Sequence, residues 1–130
     1  MRTDKDSYKI TYDKKDFTSW AGVYLFISGD ISNYNALSFL VKGEKGKEKF
    51  EIGLKDFEAF YNELDATIAG PVSRYLPNGI TTEWQVVIIP LDHFPNLDLA
   101  NTVSLILLFN ELGNGKFWLD EVQFLNFGTL

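Results

Sequence analysis

The sequence predicts an all-β fold: an antiparallel β-sandwich or jelly roll of about eight strands with at most one short helix. Short apolar or alternating runs recur along the whole chain, turn signals rich in glycine and asparagine separate them, and helical spacing occurs once. A parallel α/β sheet would need a helix in most of its connections. The 130 residues fit one domain, residues 1–130, and at this length folding buries roughly two thirds of the unfolded chain's surface with no obligatory disulfide or metal.

Taken in order, Tyr8, Ile10 and Tyr12 alternate with polar residues as in a half-buried strand, and a charged loop follows at 13–16. Trp20 precedes a strand at 23–27, where Val23, Leu25 and Ile27 share one face and Tyr24 and Phe26 the other. Ser28, Gly29 and Asp30 make a turn. Residues 37–42 are expected to pair with 50–55 through a hairpin at 43–46. In the second of these strands Phe50, Ile52 and Leu54 point inward, while Glu51, Gly53 and Lys55 point outward and the glycine leaves a shallow place. Between 56 and 64 the period changes: Phe57, Phe60, Tyr61 and Leu64 fall on one helical face, and Asp56 is placed to cap.

Residues 72–76 read as a strand, turned by Pro77, Asn78 and Gly79 into the stretch 81–91, TTEWQVVIIPL. That stretch is apolar on both alternating faces, which predicts a central strand with Trp84 in the core and Pro90 at its end. The apolar run 103–109 is the candidate for a similarly buried strand, and the core is expected to be a sandwich built around the two. Segment 91–99 is a crossing loop or a single helical turn. The last two strands, 102–109 and 116–124, are expected to pair through a turn at Gly113, Asn114 and Gly115.

A formal charge of −6 argues against a nucleic-acid partner, since phosphate backbones are met by concentrated basic faces. The apolar runs are far too short for a helix to span a bilayer, the amino-terminal residues carry no signal-peptide core, and the absence of cysteine excludes disulfides and thiolate metal sites. An aromatic share of 15% exceeds what a core needs, which places some rings on a surface that binds something.

The phrases YKITYD (8–13), WAGVYLFI (20–27), ISNYNALSFLVKGEKG (31–46), KFEIGLKD (49–56), GITTEWQVVIIPLDHF (79–94) and GKFWLDEVQF (115–124) stand in one order along nearly the whole chain. In that order they resemble carbohydrate-binding modules of the galactose-binding-domain-like jelly-roll group. Family 11 modules and the domain of the complex I intermediate-associated protein family are the likenesses. The resemblance implies a non-catalytic module holding a β-glucan or related plant polysaccharide on the concave face of one sheet, as part of a larger secreted protein. Such modules begin with an additional strand and an acidic residue, where this chain has only MRTDKDS. Their structural calcium site draws partly on that region, so the resemblance gives Asp120 as the residue left to ligate calcium. The open edge also offers a place for a second copy of the chain.

Sugar recognition needs aromatic faces against C–H patches and planar polar groups against hydroxyls. Tyr24, Tyr61 and Tyr75 are the candidate rings, with Lys55, Asp56 and Arg74 as polar neighbours. Each has an ordinary reading beside it: Tyr24 and Tyr75 as strand surface, Tyr61 as packing for its helix. Trp118 reads as a partly buried ring. The enzyme reading fails on its residues: Glu51 and Glu83 are the only carboxylates placed on or beside core strands facing out, His93 is a single loop histidine, and no nucleophile motif occurs. The alternative to a sugar module is a protein-interaction or assembly domain on the same scaffold.

Overall fold

In the computed structural model, which describes residues 7–18 and 21–127, alternating sequence becomes eight strands in two antiparallel four-stranded sheets. In chain order they are β1 (Tyr8–Lys14), β2 (Gly22–Gly29), β3 (Ala36–Gly43), β4 (Glu51–Asp56), β5 (Thr67–Pro71), β6 (Gln85–Pro90), β7 (Thr102–Leu108) and β8 (Gly113–Leu125). The one α-helix among the described residues, α1 (Phe57–Tyr61), follows β4 directly. One sheet has the order β1-β8-β3-β6 and the other β2-β7-β4-β5. Trp20 lies outside the described residues.

The two sheets close on one core. Phe39 and Val41 of β3, Val87 and Ile89 of β6, and Phe117 and Leu119 of β8 meet Ile52 and Leu54 of β4 and Leu105 and Leu107 of β7, all fully buried. Each such side chain is worth ~1.5–3 kcal/mol of burial, so this set dominates the stability of the sandwich. One end is closed by stacked rings: Phe50 on Phe117 at 4.7 Å and Tyr12 on Phe109 at 4.2 Å. On β8, Glu121 at φ 50° sits where the register against β3 shifts. That extra residue changes the parity of the strand, so Val122 and Phe124 continue the inward face begun by Phe117 and Leu119.

The run 103–109 is buried as expected. It forms the interior strand β7, flanked by β2 and β4. The stretch 81–91 differs: β6 is an edge strand, with Val87 and Ile89 inward but Val86 53% and Ile88 39% exposed. Its second apolar face is surface, and Trp84 stands on that surface with the Lys42 Nζ 5.6 Å from its ring centre. Neither expected hairpin forms. β3 and β4 lie in different sheets, as do β7 and β8, so 43–46 crosses between layers and Gly113–Gly115 pair with β1 inside β8. Strands that share an inward apolar face satisfy it equally well across the core as side by side, and turn residues do not distinguish the two. Residues 72–76 are not a strand. Pro71 ends β5 and a 3-10 turn, Val72–Arg74, follows.

The expected helix is present, but its apolar face is not packed down. None of its residues is buried, and Tyr61 is 74% exposed. What holds α1 is Asp56, whose Oδ1 accepts from the Ala59 N–H at 2.9 Å and whose Oδ2 accepts from the Asp98 N–H at 3.0 Å. One carboxylate thus caps the helix and ties it to the loop preceding β7.

Two stability outcomes follow. Asp56→Ala removes the cap and the tie, lowering the unfolding free energy by ~0.5–2 kcal/mol in urea denaturation. Gly53→Ala places a Cβ 2.7 Å from Ile68 Cδ1, 2.8 Å from Ile106 Cγ2 and 3.1 Å from the Thr67 carbonyl oxygen. The same measurement should give a loss of ~1–3 kcal/mol for that overpacking.

Candidate functional site

Alternation on β2 turns Tyr24 and Phe26 away from the core, and the register across the sheet arranges their neighbours in two rows. Tyr24 is opposite Ile106, which is opposite Gly53, which is opposite Ile68. Phe26 is opposite Ser104, which is opposite Lys55. Because Gly53 has no side chain, Ile106 and Ile68 close over it and the first row becomes a low apolar floor. The shallow place expected at Gly53 is therefore filled by its neighbours.

α1 rises at the end of β4 and forms a wall. Between it and β2 lies an open groove of about 670 Å³, lined by Tyr24, Phe26, Lys55, Phe60 and Tyr61, with Glu63, Leu64 and Asp65 at its rim. Phe26 and Phe60 meet edge to face at 6.0 Å and 81°, and Phe57 stacks on Tyr61 at 5.7 Å. The Lys55 Nζ lies 5.5 Å from the Tyr24 ring centre, a cation–π contact that orients both groups. Phe26 is 70% exposed, so the groove presents ring surface to water on both sides. Under it, the Ser104 hydroxyl is buried with no hydrogen-bond partner among the described residues. The arrangement supplies apolar plates, one cation and two rim carboxylates in an open trough.

The structure brings together Tyr24, Lys55 and Tyr61. Asp56 adjoins them, with both oxygens engaged in holding α1. Arg74 and Tyr75 lie elsewhere, at and just after the turn that ends β5. Arg74 donates to the Ala69 carbonyl at 2.6 Å and its guanidinium stands 5.6 Å from the Tyr75 ring. The Tyr75 hydroxyl is 2.8 Å from His93 Nδ1, and burial raises its pKa above the ordinary tyrosine value against the opposing pull of Arg74. Asp120 is on β8 in the other sheet, its Oδ1 accepting from the Glu121 N–H at 2.7 Å. Among the described residues no three His, Cys, Asp or Glu side chains group so as to hold a metal ion. Trp118 stands on the outer face of that sheet, its ring centre 5.2 Å from the Lys42 Nζ.

Phe26 and Phe60 were missed as groove residues by the sequence reading. The signal for Phe26 was present, because it shares a strand face with Tyr24. Phe60 carried the spacing of a packed helix and gave no sign of exposure.

Residues 2–126 match the family model described as Carbohydrate binding domain 30. Among solved structures, the family 30 carbohydrate-binding module of a cellulosomal cellulase of Clostridium thermocellum is similar at 21% identity and a TM-score of 0.76, covering 95% of this chain and 76% of that one. A second family 30 module is similar at 23% identity and a TM-score of 0.78, over 95% of this chain and 69% of that one. A family 11 module from Clostridium thermocellum, solved in complex with a β-1,3-1,4-mixed-linked tetrasaccharide, is similar at 17% identity and a TM-score of 0.72, over 92% and 75%. No curated protein sequence matches the chain.

Proposed function

Because this chain belongs to the Carbohydrate binding domain 30 family, a family of non-catalytic modules, we propose that it binds a β-glucan or related plant polysaccharide along the groove between β2 and α1. The observation that carries the reading is the row of exposed rings, Tyr24, Phe26, Phe60 and Tyr61, lining one open trough beside Lys55. Exposed aromatics lose apolar hydration when covered, and the C–H faces of pyranose rings are flat enough to cover them. Lys55 and the carboxylates of Glu63 and Asp65 then offer charge-assisted hydrogen bonds to the hydroxyls at the sugar edge. With few rings and little enclosure the interaction is weak, which suits a module whose task is to keep a larger secreted protein near its polymer. The mixed-linkage ligand of the similar family 11 module supports the choice of β-glucan.

Native affinity electrophoresis through gels containing mixed-linkage β-glucan, xyloglucan, xylan, mannan or galactan tests this directly. Retardation by β-glucan is expected. Tyr24→Ala and Tyr61→Ala should each weaken it by roughly tenfold or more, equivalent to about 1.4 kcal/mol. Tyr75→Ala, whose hydroxyl is turned to His93, should migrate as the unmutated protein does. Failure of the folded protein to bind any polymer would overturn the function, and unchanged binding by the Tyr24 and Tyr61 variants would overturn the site.

A further inference from the structure

Edge strands present unpaired backbone groups, and folds protect them with charges, bulges, short length or proline. Three of the four edges here carry such protection. β1 bears Lys9, Asp13 and Lys14; β2 breaks register between Phe26 and Gly29; β5 is five residues long, irregular against β4, and ends in Pro71. β6 differs. Its sequence QVVIIP has no charge, its register against β3 is unbroken over all six residues, and Pro90 stands only at its end. In a chain of net charge −6 this is an uncharged edge that also exposes Val86 and Ile88 on the outer face.

We propose that β6 pairs with β6 of a second copy of this chain, making one continuous sheet β1-β8-β3-β6-β6-β3-β8-β1 across a two-fold axis. The strand's own sequence selects the register. Opposite residues in an antiparallel pair point to the same face, so a symmetric pairing centres on a residue. Centred on Val87, the pairing sets Val86 against Ile88 of the other copy and Gln85 against Ile89. One step further out, it sets Trp84 against Pro90. Every outward residue of the strand then meets an apolar outward residue, with no charge opposed to charge. Centring one residue later sets Val86 against Pro90, which has no N–H to give, and runs the pairing off the end of the strand into the 3-10 turn Leu91–His93. The pairing sets the exposed Val86 and Ile88 side chains of the two copies against one another.

The two-fold axis of such a pair is perpendicular to the sheet, so the inward residues Val87 and Ile89 of both copies stay on one side. Each copy's β2-β7-β4-β5 sheet lies on that same side, and the two outer grooves face the same way. If the grooves hold polysaccharide as proposed above, the dimer presents two of them to one polymer surface, and a weak single contact becomes a stronger paired one through effective concentration.

Sedimentation equilibrium of the sugar-free protein over a concentration series tests the pairing without reference to sugar. The unmutated chain should fit a monomer–dimer equilibrium, and Val86→Lys and Ile88→Glu, both on the outer face away from the groove, should each sediment as monomers with melting still cooperative. Amide hydrogen exchange of the unmutated chain gives a second reading that needs no variant: protection of 85–90 should rise with protein concentration. A monomer at every concentration, a dimer that survives both substitutions, or exchange at 85–90 indifferent to concentration would overturn the proposal. Soluble β-glucan binding by the monomeric variants should be unchanged, whereas retention on insoluble polymer should fall.

Discussion

Burial of β7 on both of its faces constrains everything around it. Leu105 and Leu107 fill the core while Ser104 and Ile106, on the opposite face, are closed over by β2 and β4, so no slip of a single residue is tolerated on either side. That fixed register puts Tyr24 and Gly53 in one row and Phe26 and Lys55 in the next. The groove is therefore set by the backbone pairing of a strand buried on both faces. Asp56 extends the same control to α1, since one carboxylate fixes both the start of the helix and its distance from the loop before β7.

Exposed apolar side chains occur singly over the molecule, Tyr8, Phe17, Tyr34 and Leu112 among them, but in the groove four aromatic rings stand together in water beside a helix that buries none of its residues. A five-residue helix with no packed face contributes little to stability and persists because it is capped and continuous with β4. Local exposure of this kind marks a surface whose contacts are completed by something else. The outer face of β6 shows the same feature in aliphatic form, with Val86 and Ile88 exposed on an uncharged edge strand.

Much of this was legible in the sequence, and what was not has identifiable causes. Period-2 alternation gave the inward face of β4 and separated the two faces of β2 without saying which is covered, and the 3.6 period with Asp56 gave α1 and its cap. Tyr24 and Lys55 stood out as candidates from their positions in that alternation, whereas Tyr61 lay on the helical face expected to pack down and its exposure could not be read. The partners of each strand could not be read, because apolar residues on one face specify that a strand is covered and not which strand covers it. The stretch 81–91 misled for a related reason: hydrophobicity on both faces is shared by an interior strand and by an edge with an apolar surface. Arg74 and Tyr75 followed from an extended reading of 72–76, and Pro71 removes that extension by ending the ladder.

The chain changes sheets at every connection between consecutive strands except that from β4 to β5. Nearly all pairing therefore joins segments distant in sequence, and β1 finds its partner only when β8, at the other end of the described chain, is in place. Loop-closure entropy must be met before those contacts return anything, which puts folding in the slow, roughly millisecond-to-second regime of β-sandwiches. During that interval QVVIIP is an uncharged, β-prone segment waiting for β3, so the strand that stands at a sheet edge in the finished protein is an aggregation hazard while the protein is being made.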